Sequence, residues 1–307
     1  MELINQPKLV IVCVLVLNYN SYVDTIQYVS VLRKQKKVNL RILIVDNCSP
    51  NGSFEKLSSE FDGANDVTVI KSERNGGYAY GNNFGLRFIR NWPVDYIIIS
   101  NNDIGINNPD LISGLVSAYA TLADPGFVSG VAHTNGVPAK YPAWRMPTLR
   151  DDIIGSLRCL EMFSRNTPAY RTGSTDGAAV VDCLPGCFFL GSKEVFYRID
   201  LMDENTFLYM EEVILAHKVK TAGLKNYLIN SLNYEHAGSK TISSLLSMNK
   251  MRGHLINSRV YYHKAYLNTS GVGIAAIKLL FHAWKLENVL YSGLKSIFSR
   301  GKGAKAH

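Results

Sequence analysis

Tyr96-Ile97-Ile98-Ile99-Ser100-Asn101-Asn102-Asp103 is the stretch whose reading decides the fold. Its first five residues are rich in β-branched and aromatic side chains and short enough to be a strand buried on both faces. The run then stops in two asparagines and a carboxylate. In open α/β sheets ligands collect beyond the carboxyl ends of the strands, so an Asp there is placed to reach a divalent cation carrying a phosphorylated ligand. The plainer alternative is a turn or helix cap, since Asn and Asp favour loops and Asn107-Asn108-Pro109-Asp110 has the composition of a helix start. Taken alone, the tripeptide favours the turn.

The residues on either side change that balance. Leu9 to Leu17 is an unbroken apolar run that ends in Asn18-Tyr19-Asn20. The stretch Tyr22 to Lys36 follows, with apolar residues at Tyr22, Ile26, Val29 and Leu32, which predicts strand, polar loop and helix. Leu40 to Val45 ends at Asp46-Asn47-Cys48-Ser49, and Val67 to Ile70 ends before a glycine-rich loop. Each strand finishes in a polar tip. Strands and helices alternating at these lengths predict an α/β fold with a mainly parallel sheet and helices on both faces, because parallel neighbours need crossover connections.

The tips differ in chemistry. Asp46 can accept hydrogen bonds from the N–H edge of a base or from ribose hydroxyls, while Asn18 and Asn20 offer both donors and acceptors. The loop Asn75-Gly76-Gly77-Tyr78-Ala79-Tyr80-Gly81-Asn82-Asn83 opens a helix, where glycines admit a ligand close to the backbone and unpaired N–H groups favour anions. There is no G-x-x-x-x-G-K-[ST], and no G-x-G-x-x-G follows the first strand, which argues against a P-loop NTPase and a nicotinamide-dependent dehydrogenase.

In this order and at this spacing, the Asn18-Tyr19-Asn20 tip, Val45-Asp46-Asn47-Cys48-Ser49, the Asn75 to Asn83 loop and Ser100-Asn101-Asn102-Asp103 resemble a family 2 glycosyltransferase with the GT-A nucleotide-sugar-binding fold. The resemblance runs over roughly residues 9 to 240. The pattern is especially similar to bacterial enzymes that add rhamnose, galactofuranose or related hexoses to cell-surface polysaccharides. It implies a GT-A catalytic domain over residues 1–242, with a nucleotide-sugar half to about 131 and an acceptor half from about 132. A helical, basic, amphipathic region would occupy 243–307.

The implied donor contacts are Asn18, Asn20, Asp46, Asn75, Gly76, Gly77, Tyr78, Asn82, Asn101 and Asn102. The family's metal motif is usually Asp-x-Asp, and here Asn101 takes its first position. Asn keeps hydrogen-bonding capacity but removes a negative charge, so Asn101 is assigned the ribose or a metal-bound water and Asp103 the carboxylate on Mn2+ or Mg2+.

The second half supplies a candidate base. Glu211-Glu212 begins the stretch Val213 to Gly223, which reads as a helix closed by glycine. The helix dipole by itself favours carboxylates at that end. The resemblance adds the family's Glu-Asp acceptor motif, with Glu212 where Asp usually stands. Glu212 is assigned as general base and Glu211 as an acceptor-binding or orienting partner, although the extra methylene leaves an exchange of roles open. His236, in Tyr234-Glu235-His236, matches a family histidine that completes the metal or diphosphate site, and neutral imidazole suits Mn2+ better than Mg2+. Lys240 is a candidate phosphate partner. His133, His217, His254, His263 and His282 have no comparable setting. The implied chemistry is a single displacement: Glu212 deprotonates an acceptor hydroxyl, a nucleoside diphosphate leaves, and the anomeric centre inverts.

Residues 132–182 contain Pro138, Pro142, Pro147 and Pro168 without sustained periodicity, and are expected to shape the acceptor pocket. Tyr141, Trp144 and Arg145 could stack on sugars or bind a phosphate, or simply pack. Cys183 to Leu190 resembles the family's small apolar segment, with Gly186 admitting the substrate. The five cysteines are scattered and odd in number, which argues for a reducing compartment, and none has zinc-like spacing. Leu9 to Leu17 lacks a small-residue cleavage site and falls short of the ~20 apolar residues of a membrane span. At 307 residues and 47% hydrophobic the chain can bury a full α/β core.

The net charge of +8 calls for a partner. Ile277, Leu280, Phe281, Trp284, Leu290, Leu294, Ile297 and Phe298 recur at near-helical spacing among Lys278, Lys285, Lys295, Arg300, Lys302 and Lys305. Residues 274–305 thus suit the interface of an anionic membrane, or a helix packed on the catalytic domain or a second subunit. The expected location is cytoplasmic, peripheral on the inner face of the membrane, with oligomerisation open. No nucleic-acid motif occurs. The expected partners are a UDP- or dTDP-sugar donor and a glycan or lipid-linked saccharide acceptor. A sugar nucleotidyltransferase is disfavoured by the missing glycine- and arginine-rich N-terminal loop. A non-catalytic nucleotide-sugar- or glycan-binding component of a polysaccharide assembly complex is the alternative.

Overall fold

The computed structural model describes residues 10–154, 169–170, 177–236 and 248–284. Its first half alternates as the sequence predicts: β1 (Ile11–Asn18), α1 (Tyr22–Leu32), β2 (Asn39–Asp46), α2 (Ser53–Glu60), β3 (Val67–Lys71), α3 (Tyr78–Phe88) and β4 (Tyr96–Asn101). β1 pairs in parallel with β2 and β4, and β2 with β3. The continuous apolar runs follow from burial on both faces. Val12, Val14, Val16, Ile42, Ile44 and Ile98 belong to the cluster that includes Tyr28, Val29 and Leu32 of α1. The alternate residues Cys13, Leu15, Leu43, Val45, Ile97 and Ile99 join Ala79 and Leu86 of α3.

The second half contains β5 (Ile104–Gly105), α4 (Leu111–Thr121), β6 (Pro125–Thr134), β7 (Val137–Pro138), β8 (Ala143–Trp144), α5 (Leu149–Ile154), β9 (Ala169–Tyr170) and β10 (Ala178–Val181). It continues with β11 (Phe188–Ser192), α6 (Lys193–Arg198), α7 (Glu211–Thr221), β12 (Lys225–His236) and α8 (Met248–Ala265). β11 lies between β4 and β6 and runs antiparallel to both, while β12 is parallel to β6. One sheet therefore crosses both halves in the order β10-β12-β6-β11-β4-β1-β2-β3, with β5 on β12 and β7 on β6. Parallel pairing joins β1 to β2 and β4 and β2 to β3, and antiparallel pairs enter with β5, β7, β10 and β11. The reversal of β11 brings the residues just before it, Gly186 and Cys187, to the tip of β4, where the Asn101 N–H donates to the Cys187 carbonyl at 2.8 Å.

α8 packs on the loop that precedes α7. Ser258 Oγ donates to the Leu208 carbonyl at 2.9 Å, Tyr261 donates to Asp203 at 2.7 Å, and Tyr262 is buried with Met210, Val213 and Ile214. His263 is buried and bridges α8 to α5 through Asp152 at 2.9 Å, which gives it a structural setting. Residues 271–284 form a further helix in which Ile274, Ile277 and Trp284 are buried, and Arg252 of α8 stands 4.4 Å from the Trp284 ring centre. Ile277 and Trp284, two of the residues read as a membrane-facing stripe, are thus used inside the chain; Val272 and Leu279, which lie outside that stripe, are exposed. No described helix is long and apolar enough to cross a membrane. Lys240 and residues 285–305 lie outside the described residues.

Candidate active site

The parallel register sets the strand tips in one row: Asn18 lies opposite Asp46, and Leu17 opposite Asn101. Asn18 and Asp46 are fully buried and satisfy one another. Asn18 Nδ2 donates to Asp46 Oδ2 at 2.7 Å, Asn18 Oδ1 accepts from Thr25 Oγ1 at 2.9 Å, and Asp46 Oδ1 accepts from the Ser49 N–H at 2.8 Å. Asn102 Nδ2 points the same way, donating to Thr25 Oγ1 at 2.8 Å and to the Ser21 carbonyl at 3.2 Å. These three side chains build the floor under the tips. Asn20 differs: it is held in the left-handed region (φ 58°) by its N–H donating to Ser49 Oγ at 2.9 Å, and its Oδ1 is buried without a partner.

The glycine-rich loop is pinned from below by Asn47, which sequence reading quoted but gave no role. Asn47 Nδ2 donates to Asn75 Oδ1 and to the Gly77 carbonyl, both at 3.1 Å, and Asn75 Oδ1 also accepts the Gly77 N–H at 3.1 Å. Gly77 has φ +94°, and a Cβ there would stand 2.1 Å from the Phe207 carbonyl oxygen, so only glycine fits. The Tyr78 N–H donates to that same oxygen at 3.1 Å. Asn82 is buried, with Nδ2 on the Tyr78 carbonyl at 3.0 Å and Oδ1 without a partner. Asn83, also without an assigned role in the sequence, bonds the Met202 carbonyl and Glu204 Oε1 at 2.8 Å and accepts the Met202 N–H at 3.0 Å. Gly77 and Asn83 therefore fasten the glycine-rich loop and α3 to the segment that leads into α7.

Asp103 and His236 meet because β5 pairs with the end of β12, Ile104 lying opposite His236. His236 Nε2 is 3.5 Å from Asp103 Oδ2, and Asp103 Oδ1 is buried without a partner. The Asp103 carboxylate, then the Cys187 side chain, pushes the imidazole up to about 10. A carboxylate with a free buried oxygen beside an imidazole fits a divalent cation such as Mn2+. No third His, Cys, Asp or Glu completes a cluster among the described residues, so diphosphate oxygens and water would supply the remaining ligands. Ligation requires the imidazole to lose its proton, so cation and proton compete for His236.

Glu211 and Glu212 open α7 directly after two non-glycine residues in the left-handed region, Tyr209 (φ 71°) and Met210 (φ 70°). Each such residue costs ~1–3 kcal/mol, and burial of Met210 against α8 helps to hold the turn. The Gly186 backbone lies against the Glu212 carboxylate and favours its charged form, and Glu212 retains some exposure to solvent. With Tyr78, Phe127, Leu184, Gly186, Phe189, Met202, Leu215 and Asn226 it lines a cavity of about 10 Å³, room for roughly one water. A Cβ on Gly186 would lie 2.9 Å from Glu212 Oε1. Glu211 is 7% exposed, with Oε1 buried and unpartnered. Burial raises the pKa of both carboxyls, and repulsion from Glu212 raises that of Glu211 further. The pair can hold a proton well above the ordinary carboxylate range, which suits a group that accepts a proton near neutral pH.

The two chemical centres share one support. Cys187 holds the Asn101 N–H and flanks His236, while the adjacent Gly186 abuts Glu212.

Over residues 13–199 the sequence matches the family model described as glycosyl transferase family 2. The Glu pair and His236 lie beyond that match. Among curated proteins the chain is similar to the low-salt glycan biosynthesis hexosyltransferase Agl10 of Haloferax volcanii, 23% identical over 218 residues, covering 71% of this chain and 64% of that protein. It is also similar to the rhamnosyltransferase WbbL of Escherichia coli K12, 23% identical over 181 residues, covering 55% of this chain and 64% of that protein. The chain thus spans less than two thirds of the length of either relative. Among solved structures, GalNAc-T7 with UDP, GalNAc and Mn2+ superposes with a TM-score of 0.55 at 14% identity, over 75% of this chain and 44% of that one. The mannosyltransferase PcManGT of Pyrobaculum calidifontis, in complex with GDP-Man and Mn2+, gives 0.53 at 14% identity over 94% and 80%. These likenesses show the GT-A fold.

Proposed function

The chain belongs to glycosyl transferase family 2, and from that premise we propose that it transfers a hexose, with inversion, from a UDP- or dTDP-sugar to a hydroxyl of a glycan or lipid-linked saccharide in bacterial surface polysaccharide synthesis. The observation that carries this reading is the Gly186-Cys187 step, which has a candidate base beside one residue and a candidate diphosphate site beside the next.

Glu212 would take the proton of the acceptor hydroxyl as it attacks the anomeric carbon. Its raised proton affinity and the Gly186 backbone packed beside it both serve that role. Glu211, buried and unpartnered at one oxygen, would accept a second hydrogen bond from the acceptor. Asn20 Oδ1 and Asn82 Oδ1 are the buried oxygens left for donor contacts, and Asn101 is at hand for the ribose. Asp103 and His236 would hold a divalent cation, which when bound neutralises charge on the leaving diphosphate. Peripheral contact with the inner face of the membrane, through the exposed Val272 and Leu279 and the basic residues that follow, is part of the same proposal.

The test is calorimetric titration of UDP and dTDP with and without Mn2+, for the native chain and Asp103→Ala, together with turnover of their sugars by native protein and Glu212→Gln. Metal-dependent binding lost in Asp103→Ala, and turnover lost in Glu212→Gln with binding retained, is the expected result. Absence of binding to either nucleotide would reject the proposal.

A further inference from the structure

Tyr78 is the first residue of α3, directly after the Gly76-Gly77 pair, and the sequence placed it among the donor contacts. Its phenol instead crosses to the segment before β11, where the hydroxyl donates a hydrogen bond to the Gly186 carbonyl, 108 residues along the chain. The backbone of the same glycine lies against the Glu212 carboxylate, where a Cβ would stand 2.9 Å from Oε1, and the Tyr78 ring lines the cavity beside that carboxylate. Glycine is the residue least able to fix its own backbone angles, so the placement of the Gly186 backbone depends on what holds its neighbouring atoms. Two bonds do so: Tyr78 on the Gly186 carbonyl, and the Asn101 N–H on the Cys187 carbonyl.

We infer that Tyr78 is a positioning residue for the acceptor base: its hydroxyl fixes the Gly186 backbone so that it stays against Glu212, joining the glycine-rich loop mechanically to the proton-accepting group. The inference rests on Glu212 being the base. The N-terminal end of Tyr78 is bonded to Phe207 and its neighbours Gly76-Gly77 belong to the glycine-rich loop, so displacement of that loop is carried to Gly186 through one side chain. The titratable groups facing Glu212 are Glu211 on its own helix, Tyr78 from α3 and Cys183 from the segment before β11; Cys187 faces Tyr78 in turn. Among the described residues none of these is a cation, and the charged carboxylate is favoured by its own backbone at the helix start and then by the Gly186 backbone.

Tyr78→Phe keeps the buried ring and removes the hydroxyl. With Gly186 released, the proton affinity of Glu212 rises, and the acidic limb of kcat moves up by roughly 0.5–1 pH unit, a three- to tenfold loss of rate on that limb. KM for the donor stays as in the native protein, which a role in donor binding would not allow. The same shift is read without turnover from the 13C carboxyl resonance of Glu212, assigned by its absence in Glu212→Gln. A limb or resonance that stays in place overturns the inference while leaving the glycosyltransferase reading intact. A resonance that moves in a protein turning over no nucleotide sugar upholds the Tyr78 link and rejects Glu212 as a glycosyl-transfer base.

Discussion

Gly186→Ala separates the stability of this fold from its chemistry. The new Cβ would stand 2.9 Å from Glu212 Oε1 and 3.2–3.3 Å from Cγ and Cδ of the same residue, with no backbone atom among its nearest contacts. Relief therefore comes from moving the carboxylate by about 0.5 Å, since contacts of that kind settle near roughly 3.4 Å or beyond. Moving the end of a flexible side chain is cheap, and Gly186 is not in the left-handed region, so the loss of stability should stay near ~1 kcal/mol. The same displacement at a general base is costly: misplacement of about 1 Å can cost ~100-fold in rate. A fall in kcat of about 10–100-fold, or ~1.4–2.7 kcal/mol, is expected. Steady-state turnover of the nucleotide sugar, calorimetry of the nucleotide and a urea melt would be run on native protein and variant. Unchanged kcat with native melting would refute the claim that Glu212 acts where it abuts Gly186.

Gly77→Ala should behave in the opposite way, losing about 2–4 kcal/mol in a urea melt, because its Cβ would meet the Phe207 backbone at 2.1 Å and its φ is +94°. A variant as stable as the native protein would contradict the fastening of the glycine-rich loop to residue 207. The Glu pair predicts pH dependence with a definite sign. Both folded pKa values are raised, so the stability they confer is present below the unfolded carboxyl value and is lost as pH rises through the folded values. Melting temperatures from roughly pH 5 to 9 should fall more steeply for native protein than for Glu211→Gln. Turnover should rise through the same raised values, and Glu211→Gln, by removing the like charge, should move that acidic limb down. Parallel melting curves for the two proteins would show that Glu211 is not held with its proton in the fold.

The alternating strands and helices from β1 to β4 were legible because their signals are local. Apolar runs at 9–17, 40–45 and 67–70 became strands at Ile11–Asn18, Asn39–Asp46 and Val67–Lys71, and the helix read from Tyr22 ends at Leu32. The role of a tip residue is not local. Asn18 and Asp46 carry the atoms to read a nucleoside, and the same atoms bond each other once parallel register sets the residues side by side. Asn83 and Met202 are 119 residues apart, and nothing in either sequence neighbourhood announces their pairing. The Cys183 to Leu190 segment showed its small residues but not its direction, because strand polarity in a mixed sheet is decided by chain connection. The setting of α8 was hidden for a similar reason: Ser258, Tyr261 and Tyr262 acquire a purpose only beside residues 203–210.

The placement of β11 also governs how this molecule can move. It is hydrogen-bonded on one edge to β4 and on the other to β6, and Ser129 Oγ adds a bond to the Phe188 carbonyl at 2.6 Å. A hinge between β4 and β6 would have to tear a ladder in the middle of a continuous sheet. Opening and closing around a substrate must therefore be the work of the connecting loops, with the sheet as a stationary anvil. Amide exchange along β11 should then be among the slowest in the chain and insensitive to nucleotide, while the amides of residues 75–77 and 205–210 report its arrival.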